Sequence, residues 1–323
     1  MASLKEAGER SLVSRIIRDI RSTAFVGPGD DAACIDIGGN KIVISSDIVT
    51  FEKHMAKGQT PEQFGWLSAA VSFSDIAAMG ARPLGILAAV SLHPDTDETV
   101  LYDIMKGVDR CAGSCGSEIL GGDTKPGCGS VCTTALGICE HNVLTRSGAR
   151  PGDLVAVTGT LGSAAAGWYA ALNGITEKDA LAKVMTPVPR IKEGMFLSSN
   201  GIATSCMDIS DGLSATADAI CRHSGTGMEI VFESLPVGKG TGRICRESGL
   251  SEEDIIMNGG GDYELLFTFP EEYIGAVRSS GYDIHVIGKV TSGSTVSIVM
   301  NGKSKVLENY GYEHFTEDRS APL

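Results

Sequence analysis

The sequence has little positive charge and no long apolar stretch. Its 323 residues carry 27 Lys and Arg against 40 Asp and Glu, a formal net charge of −13. No run of basic residues could neutralise a phosphate backbone, which argues against nucleic acid as a partner. No apolar run approaches the ~20 residues of a membrane-spanning helix, and the first residues lack the apolar segment of a secretory signal. We therefore expect a cytoplasmic protein that binds neither nucleic acid nor membranes.

The loop motifs that many nucleotide-binding and nucleophilic enzymes share are also missing. Gly302-Lys303-Ser304 resembles the end of a Walker A loop, but the first glycine of that motif would fall at Ser297. Asn301-Gly302, between two strand-like segments, predicts a hairpin turn instead. No G-x-S-x-G elbow is present and the six histidines are scattered, so a nucleophilic triad is not indicated.

The nine cysteines include two pairs with C-x₃-C spacing, Cys111/Cys115 and Cys128/Cys132. Such pairs can belong to a metal cluster. The first pair lies on a predicted helix and Cys132 on a predicted strand, which favours small buried thiols. In a cytoplasmic protein we expect these thiols to be reduced.

Aspartate occurs beside glycine or serine in six short clusters. A carboxylate in such a cluster is a hard oxygen ligand on a tight turn, where backbone N–H groups and a second anion can approach closely. One cluster alone would be explained by an ordinary turn. Six in one chain indicate a site where several divalent cations meet a polyphosphate. The clusters are Gly29-Asp30-Asp31, Ser45-Ser46-Asp47, Ser74-Asp75, Gly121-Gly122-Asp123-Thr124, Asp208-Ile209-Ser210-Asp211-Gly212 and Gly259-Gly260-Gly261-Asp262.

Magnesium is the cation that these clusters suit best. Mg²⁺ takes a few carboxylates together with water and phosphate oxygens, so aspartates on several separate segments fit it better than a compact protein cage would. With an anionic substrate such as ATP, the bound cations would also supply the positive charge that the chain lacks. The expected chemistry is metal-assisted phosphoryl transfer.

Helical and strand-like segments alternate along the whole chain, which predicts an α/β fold of packed layers. The turn-rich segment 145–153 predicts a junction between an N-terminal domain, 1–145, and a C-terminal α/β domain, 146–323. The predicted helices are Glu9–Arg21, Pro61–Met79, Asp97–Cys115, Ser163–Leu172, Pro189–Ser199, Ser214–Ser224 and Glu271–Ser280. The predicted strands are Ala32–Asp36, Lys41–Ser46, Leu84–Leu92, Glu118–Leu120, Ser130–Cys139, Leu154–Thr158, Glu229–Phe232, Leu265–Phe269, Ile284–Ile287 and Val296–Met300.

The clusters, in this order, resemble those of the thiamine-monophosphate kinase family in the aminoimidazole-ribonucleotide synthetase-like superfamily. The similarity runs from Gly8-Glu9 to Tyr312-Glu313-His314-Phe315, nearly the whole chain. The segments that carry it are Gly29-Asp30-Asp31-Ala32-Ala33, Ser74-Asp75-Ile76-Ala77-Ala78-Met79-Gly80-Ala81, Gly121-Gly122-Asp123-Thr124, Arg146-Ser147-Gly148-Ala149, Asp208-Ile209-Ser210-Asp211-Gly212-Leu213 and Asp262-Tyr263-Glu264-Leu265-Leu266.

The resemblance implies a two-domain fold, a homodimer formed through the N-terminal sheets, and nucleotide bound near the subunit interface. It implies transfer of the ATP γ-phosphoryl group to thiamine monophosphate. The implied magnesium ligands are Asp30, Ser45, Ser46, Asp47, Asp75, Asp123, Asp208 and Asp211. The implied ATP contacts are Gly122, Asp123, Arg146 and Ser210, and the implied acceptor contacts are His54 and Tyr312. Because a phosphate-monoester acceptor is already anionic near neutral pH, no catalytic general base is expected.

The residues expected to contact the phosphoryl acceptor depart from the family pattern, so the identity of the acceptor stays open. The family's usual motif is Gly-Gly-Glu-Asp, and its last three positions are Gly260-Gly261-Asp262 in this chain. Gly261 therefore stands where the family has a glutamate whose carboxylate is expected to face the substrate. Phe51 and Lys53 are unusual between Asp47 and His54. The alternatives are a related kinase for another phosphorylated small molecule, a ligase-type relative that activates an amide through ATP, and a non-catalytic ATP-binding scaffold.

Overall fold

A computed structural model describes residues 4–307 and 311 of the chain, which form two mixed sheets with helices packed on them. The N-terminal elements are α1 Leu4–Ala7, α2 Glu9–Asp19, β1 Ala33–Ile37, β2 Asn40–Thr50, α3 Phe51–His54, α4 Pro61–Ala78, β3 Arg82–Leu92, α5 Glu98–Ser114, β4 Ile119–Pro126 and β5 Ser130–Cys139. Among the described helices, none is both long enough and apolar enough to cross a membrane.

The C-terminal elements begin after a segment without helix or strand, where the domain junction is predicted; the boundary itself stays a prediction. They are β6 Leu154–Thr158, α6 Ser163–Asn173, α7 Lys178–Met185, α8 Ile191–Ser199, β7 Ser205–Asp208, α9 Leu213–Ser224, β8 Gly227–Val231, α10 Thr241–Ser248, α11 Glu252–Asn258, β9 Leu265–Phe269, α12 Ile274–Ser279, β10 Ile284–Thr291, β11 Val296–Met300 and β12 Lys303–Val306. Two short 3₁₀ turns, Phe232–Ser234 and Glu271–Tyr273, complete the set.

The N-terminal sheet has the order β1-β2-β5-β3-β4 and is covered by helices on one face. Its central strand β5 alternates strictly between half-buried and buried residues, as expected for a strand with one face on the core. Helix α4 starts with a capping box, in which Thr60 and Gln63 each bond the other's backbone N–H. Helices α4 and α5 approach closely through two glycines: a Cβ on Gly65 would lie 1.9 Å from the Ile104 carbonyl oxygen, and one on Gly107 1.8 Å from that of Glu62.

Helix α4 lies between the two halves of the molecule and is the main structural link between them. It packs on β2 and β5 and also contacts β7 and α8 of the C-terminal half. One continuous core cluster accordingly contains Phe73 and Ile76 from α4 together with Phe267 and Leu197 from the C-terminal half. The residues of α4 therefore have fixed positions relative to both sheets.

The C-terminal sheet has the order β12-β11-β8-β10-β6-β9-β7. Strand β7 pairs antiparallel with β9, and Asp208 is directly opposite Leu265 at its end. The hairpin predicted at Asn301-Gly302 is confirmed: β11 and β12 pair across it, and both residues have positive φ.

Three of the six aspartate clusters lie in strands or a helix rather than on turns, and for Ser74-Asp75 the helix is the predicted one. Ser45-Ser46-Asp47 is inside β2, because the β-branched residues Ile48, Val49 and Thr50 continue that strand. Ser74-Asp75 is inside α4, and Gly121-Gly122-Asp123-Thr124 is inside β4. The structure also contains elements that the sequence did not predict, namely α1, α3, α7, β7, α10 and α11.

Candidate active site

Three aspartates from distant parts of the chain form the centre of the site. Asp31, Asp75 and Asp208 each offer a carboxylate oxygen, and these oxygens lie within 4.8 Å of one another. Asp31 comes just before β1, Asp75 is in the last turn of α4, and Asp208 is the last residue of β7. The cluster therefore forms where both sheets meet helix α4.

Serine hydroxyls from β2 and α4 surround these carboxylates. Ser45 donates to Asp75 and lies 3.4 Å from Asp47 Oδ2, while Ser72 donates to the same Asp47 oxygen at 2.9 Å. Ser74 donates to Asp208 Oδ2 at 2.6 Å. Hydroxyl donors hold carboxylate oxygens in place while leaving other lone pairs available to a cation.

Crowding of buried acids raises the pKa values across the cluster. Burial, reinforced by the neighbouring Asp31 carboxylate, raises the pKa of Asp208 to about 8. Burial raises the pKa of Asp31 to about 6, against the opposing effect of Arg146. Burial and then the charges of Asp47, Asp208 and Asp31 raise the pKa of Asp75 well above its usual range. Protein groups alone therefore compensate these negative charges incompletely.

Arg146 is the cation that contacts the cluster directly. Its Nε and one terminal nitrogen lie 3.1 and 2.6 Å from Asp31 Oδ1, and its backbone N–H donates to Asp30 at 3.1 Å. The other oxygen, Asp31 Oδ2, is buried and has no hydrogen-bond partner among the described residues. A buried carboxylate oxygen without a partner is costly unless something fills the position.

The donor set fits a hard divalent cation such as Mg²⁺. All three central groups are carboxylates, one has a buried oxygen without a hydrogen-bond partner, and a bound cation would offset the repulsion that raises their pKa values. Asp31, Asp75 and Asp208 are the residues that would hold it, and Asp47 lies beside Asp75.

A cleft opens from the aspartates between the two halves of the molecule. The loop after β7 forms one wall: the Tyr263 N–H donates to the Ile209 carbonyl at 3.0 Å, and the Gly261 N–H to that of Ser210 at 2.7 Å. The lining residues are Asp47, Ile48, Val49, Lys53, His54, Val71, Asp75, Asp208, Ser210, Asp211 and Tyr263.

Asp262 and Glu264, next to this wall, have structural positions. Asp262 is buried and accepts from the N–H groups of Gly162 and Ala164, at 2.6 and 2.9 Å, so it caps the start of α6. Glu264 is buried and accepts from Thr158, Lys183 and Arg190. These contacts fix the backbone on both sides of Tyr263.

The structure brings part of the predicted site together. Of the predicted metal ligands, Asp75 and Asp208 are in the central cluster, Asp47 and Ser45 adjoin it, and Asp211 lines the cleft. Among the other predicted contacts, Ser210 and His54 line the cleft, and Arg146 binds the cluster. Tyr312 lies outside the described residues.

Other predicted residues lie apart from the cluster. The Asp30 carboxylate accepts from the backbone N–H groups of Arg146 and Asp31. Ser46 points to the opposite face of β2 and bonds Thr134 at 2.9 Å. Gly122 and Asp123 lie on the exposed edge strand β4, where Asp123 is 3.5 Å from Lys125 Nζ. Their roles toward magnesium or ATP stay predictions.

The sequence interpretation missed Asp31 and Tyr263. Asp31 stands in the Gly-Asp-Asp cluster that was selected, but the spacing does not show which of the two carboxylates points inward. Tyr263 adjoins the Gly-Gly-Gly-Asp cluster and has a φ of 50°, unusual for a residue with a side chain. Burial, reinforced by Asp208 and Asp47, raises the pKa of Tyr263 well above its usual range, so it faces the cleft as a neutral phenol.

Comparison with known proteins identifies the family to which the chain belongs. Residues 29–139 match the N-terminal domain, and residues 150–301 the C-terminal domain, of the AIR synthase related proteins. A thiamine-monophosphate kinase of Methanospirillum hungatei is 36% identical over 289 residues, covering 88% of this chain and 92% of that protein. The chain belongs to the thiamine-monophosphate kinase family. The thiamine-monophosphate kinase of Escherichia coli K12 is 33% identical over 95% of this chain and 98% of its own length.

Solved structures of this family have the same fold. AaThiL complexed with AMPPCP and TMP matches with a TM-score of 0.87 at 30% identity, over 97% of this chain and 99% of that one. The thiamine monophosphate kinase of Aquifex aeolicus matches with a TM-score of 0.82 at 29% identity, over 94% and 99%. The hydrogenase maturation protein HypE, at 21% identity and a TM-score of 0.71, shares the fold. The predicted two-domain α/β fold and the predicted family are confirmed.

Proposed function

We propose that this protein uses ATP and Mg²⁺ to phosphorylate thiamine monophosphate to thiamine diphosphate, by direct transfer of the γ-phosphoryl group. The observation that carries the proposal is the convergence of Asp31, Asp75 and Asp208, with Asp31 Oδ2 buried and without a partner among the described residues. The kinase relatives and the AaThiL complex with AMPPCP and TMP support the substrates.

The carboxylates supply binding and positioning in this reaction. Bound Mg²⁺ would neutralise the charge that develops on the transferring phosphoryl group. Asp31, Asp75 and Asp208 hold the cations, and the serines of β2 and α4 keep the carboxylates oriented. Arg146 limits the negative charge at Asp31. We also assign Asp30, Ser46, Asp47, Asp123 and Asp211 to cation binding, and Gly122, Arg146 and Ser210 to ATP, as the family resemblance implies.

The acceptor enters the reaction without proton abstraction. A phosphate monoester already presents an anionic oxygen near neutral pH, so no side chain has to act as general base. His54 lines the cleft, and its Nδ1 accepts from the Thr50 N–H at 3.0 Å, which fixes the ring. We place the acceptor on this side of the cleft, beside α3 and Tyr263.

We further propose that the active form is a cytoplasmic homodimer built through the open face of the N-terminal sheet. Leu84, Leu87 and Leu120 on β3 and β4 are 38, 40 and 51% exposed, an apolar surface that a second subunit would cover. Gly122 and Asp123 lie on the same edge strand. Dimerisation would bring their side of the sheet close to a nucleotide at the interface.

The test is to incubate the purified protein with γ-labelled ATP, Mg²⁺ and a panel of phosphate monoesters that includes thiamine monophosphate. We expect label in thiamine diphosphate, with one ADP formed for each product molecule, and loss of transfer in EDTA. Transfer to another monoester but not to thiamine monophosphate would favour the related kinase. ATP binding without turnover on any acceptor would favour the scaffold.

A further inference from the structure

Lys53 has a distinctive position in the cleft. It is the one lysine or arginine among the described lining residues, alongside the carboxylates of Asp47, Asp75, Asp208 and Asp211. Within residues 4–307 and 311, no carboxylate lies within ion-pair distance of its ammonium group. Among the described residues, the cleft thus offers one basic side chain that no carboxylate engages.

The backbone that carries Lys53 is held on several sides. Thr50 caps α3 by accepting from the Lys53 N–H, and its own N–H donates to His54 Nδ1 at 3.0 Å. The Phe51 N–H donates to the Gly129 carbonyl at 3.1 Å, and the Phe51 ring packs edge-on against Phe64 of α4 at 4.8 Å. Helix α4 also carries Asp75, so the backbone at Lys53 has a fixed position relative to the cation-binding carboxylates.

The charge balance of the cleft indicates what Lys53 binds. The four aspartates that line the cleft suit divalent cations and repel a free anion. An acceptor that enters this cleft brings a phosphate of its own, which needs positive charge on the side away from the nucleotide. A lysine ammonium is a compact point charge that binds phosphate without demanding a fixed orientation.

We propose that Lys53 is a specificity-determining residue that binds the phosphate of the acceptor and so favours phosphorylated over unphosphorylated molecules. This inference rests on the proposed function, and it assigns one particular contact within it. Lys53 would not enter bond making or breaking. Its contribution would appear in acceptor binding and would be absent from ATP binding.

Three variants test the assignment. Lys53→Met removes the charge and keeps most of the side-chain length, and Lys53→Arg keeps the charge. Lys57→Met is the matched control, since Lys57 lies four residues further on, outside the cleft lining, and bonds the Leu172 carbonyl. Calorimetry measures the affinity of each protein for thiamine monophosphate and for thiamine, with AMPPCP and Mg²⁺ present, and steady-state assays give KM and kcat.

In Lys53→Met we expect binding of thiamine monophosphate to weaken about 10- to 100-fold, the loss expected for one charged contact. Thiamine binding, the KM for ATP and the melting temperature should stay unchanged. Lys53→Arg should retain most of the preference for the phosphate, and Lys57→Met all of it. A merely structural role would weaken both ligands equally, and that result, or equal affinities in wild type and Lys53→Met, would overturn the inference.

The outcomes separate this inference from the proposed function. If wild type transfers phosphate to thiamine monophosphate and Lys53→Met keeps its preference for it, Lys53 is not the phosphate contact and the kinase assignment stands. If wild type transfers phosphate to no acceptor in the panel, the proposed function fails. Calorimetry with inorganic phosphate in place of thiamine monophosphate then decides the Lys53 contact: weaker binding in Lys53→Met upholds it, and equal binding overturns it.

Discussion

Arg146 directs two nitrogen donors at the same oxygen of Asp31, Oδ1, and leaves Oδ2 without a hydrogen-bond partner among the described residues. In this arrangement the guanidinium offsets the negative charge of Asp31 and leaves one carboxylate oxygen able to bind a cation. The guanidinium lowers the cost of burying Asp31, while one oxygen stays available beside Asp75 and Asp208. The backbone N–H of Arg146 also donates to Asp30. This bond joins the segment before β6 to the segment before β1 beside the site.

We expect Asp75→Asn to lower kcat by about 10²-fold or more, the effect of removing a major electrostatic group. Asparagine keeps the shape of the side chain but cannot balance the charge of a cation. In protein freed of divalent ions, the same variant should be at least as stable as wild type at neutral pH, because it removes one member of a crowded acid cluster. Activity assays and thermal melts in EDTA check the two effects.

The matched control for Asp75 is Asp109→Asn, which makes the same change on the exposed face of α5. It should alter neither kcat nor the melting temperature in EDTA. Near-normal turnover of Asp75→Asn at ordinary Mg²⁺ concentrations would rule out Asp75 as a cation ligand.

Stability without divalent cations should fall as the pH rises. The folded-state pKa values of Asp31 and Asp208, about 6 and about 8, exceed the ordinary value of 3.8, so the folded protein holds these protons more tightly than the unfolded chain. The stability they contribute is fully present below pH 3.8 and is lost as the pH rises through the folded values. We expect the melting temperature in EDTA to decrease between about pH 5 and about pH 9.

Added Mg²⁺ should counteract this decrease, since cations bind the deprotonated carboxylates. The increase in melting temperature on adding Mg²⁺ should therefore be larger at the alkaline end of the range. A Mg²⁺ effect that is the same at every pH would contradict a site made of Asp31, Asp75 and Asp208.

The parts of this site that could be predicted are those that local sequence determines. The Ser-Asp pair was correctly placed in a helix, because the Pro61 start and the Gly80 end delimit α4. Strand β7 was missed, because four buried residues with Cys and Met have little strand signal and depend on pairing with β9. The choice of Asp31 over Asp30 depends on Arg146, which is 115 residues away in sequence. Spacing along the chain cannot show such a contact.

Glu264 should be among the most sensitive structural positions. Its side chain is fully buried and accepts from Lys183, Arg190 and Thr158. Glu264→Gln would leave two basic groups without their carboxylate, and we expect it to lower the free energy of unfolding by about 3–5 kcal/mol. Glu193→Gln is the control, because Glu193 pairs more loosely with the same Arg190, at 3.7 Å, and its loss should cost about 1 kcal/mol or less. Equal effects in denaturant unfolding would refute the special role of Glu264.

The apolar face of the N-terminal sheet predicts a dimer that persists without ligand. Light scattering should give twice the 33.7 kDa mass of the chain. Leu87→Asp should shift the protein toward monomer, because a charge would be buried at the interface. Leu172→Asp is the matched control on α6 of the other domain, where the leucine is 45% exposed. A wild type that is monomeric at micromolar concentration would contradict the proposed assembly.

Gly261, which is buried behind the cleft lining and donates its N–H to the Ser210 carbonyl, allows a second test of the acceptor. Its φ is +83°, a conformation that costs a residue with a side chain about 1–2 kcal/mol. Gly261→Glu, which would restore the carboxylate expected in the family, therefore carries a backbone penalty, and Gly261→Ala carries the same penalty without the carboxylate. If the acceptor is thiamine monophosphate, the Glu variant should have a KM for it about 10-fold lower than the Ala variant, with equal KM values for ATP. Equal KM values for thiamine monophosphate in two folded variants would favour a different phosphorylated acceptor, since a carboxylate at this position would then find nothing on the substrate to bind.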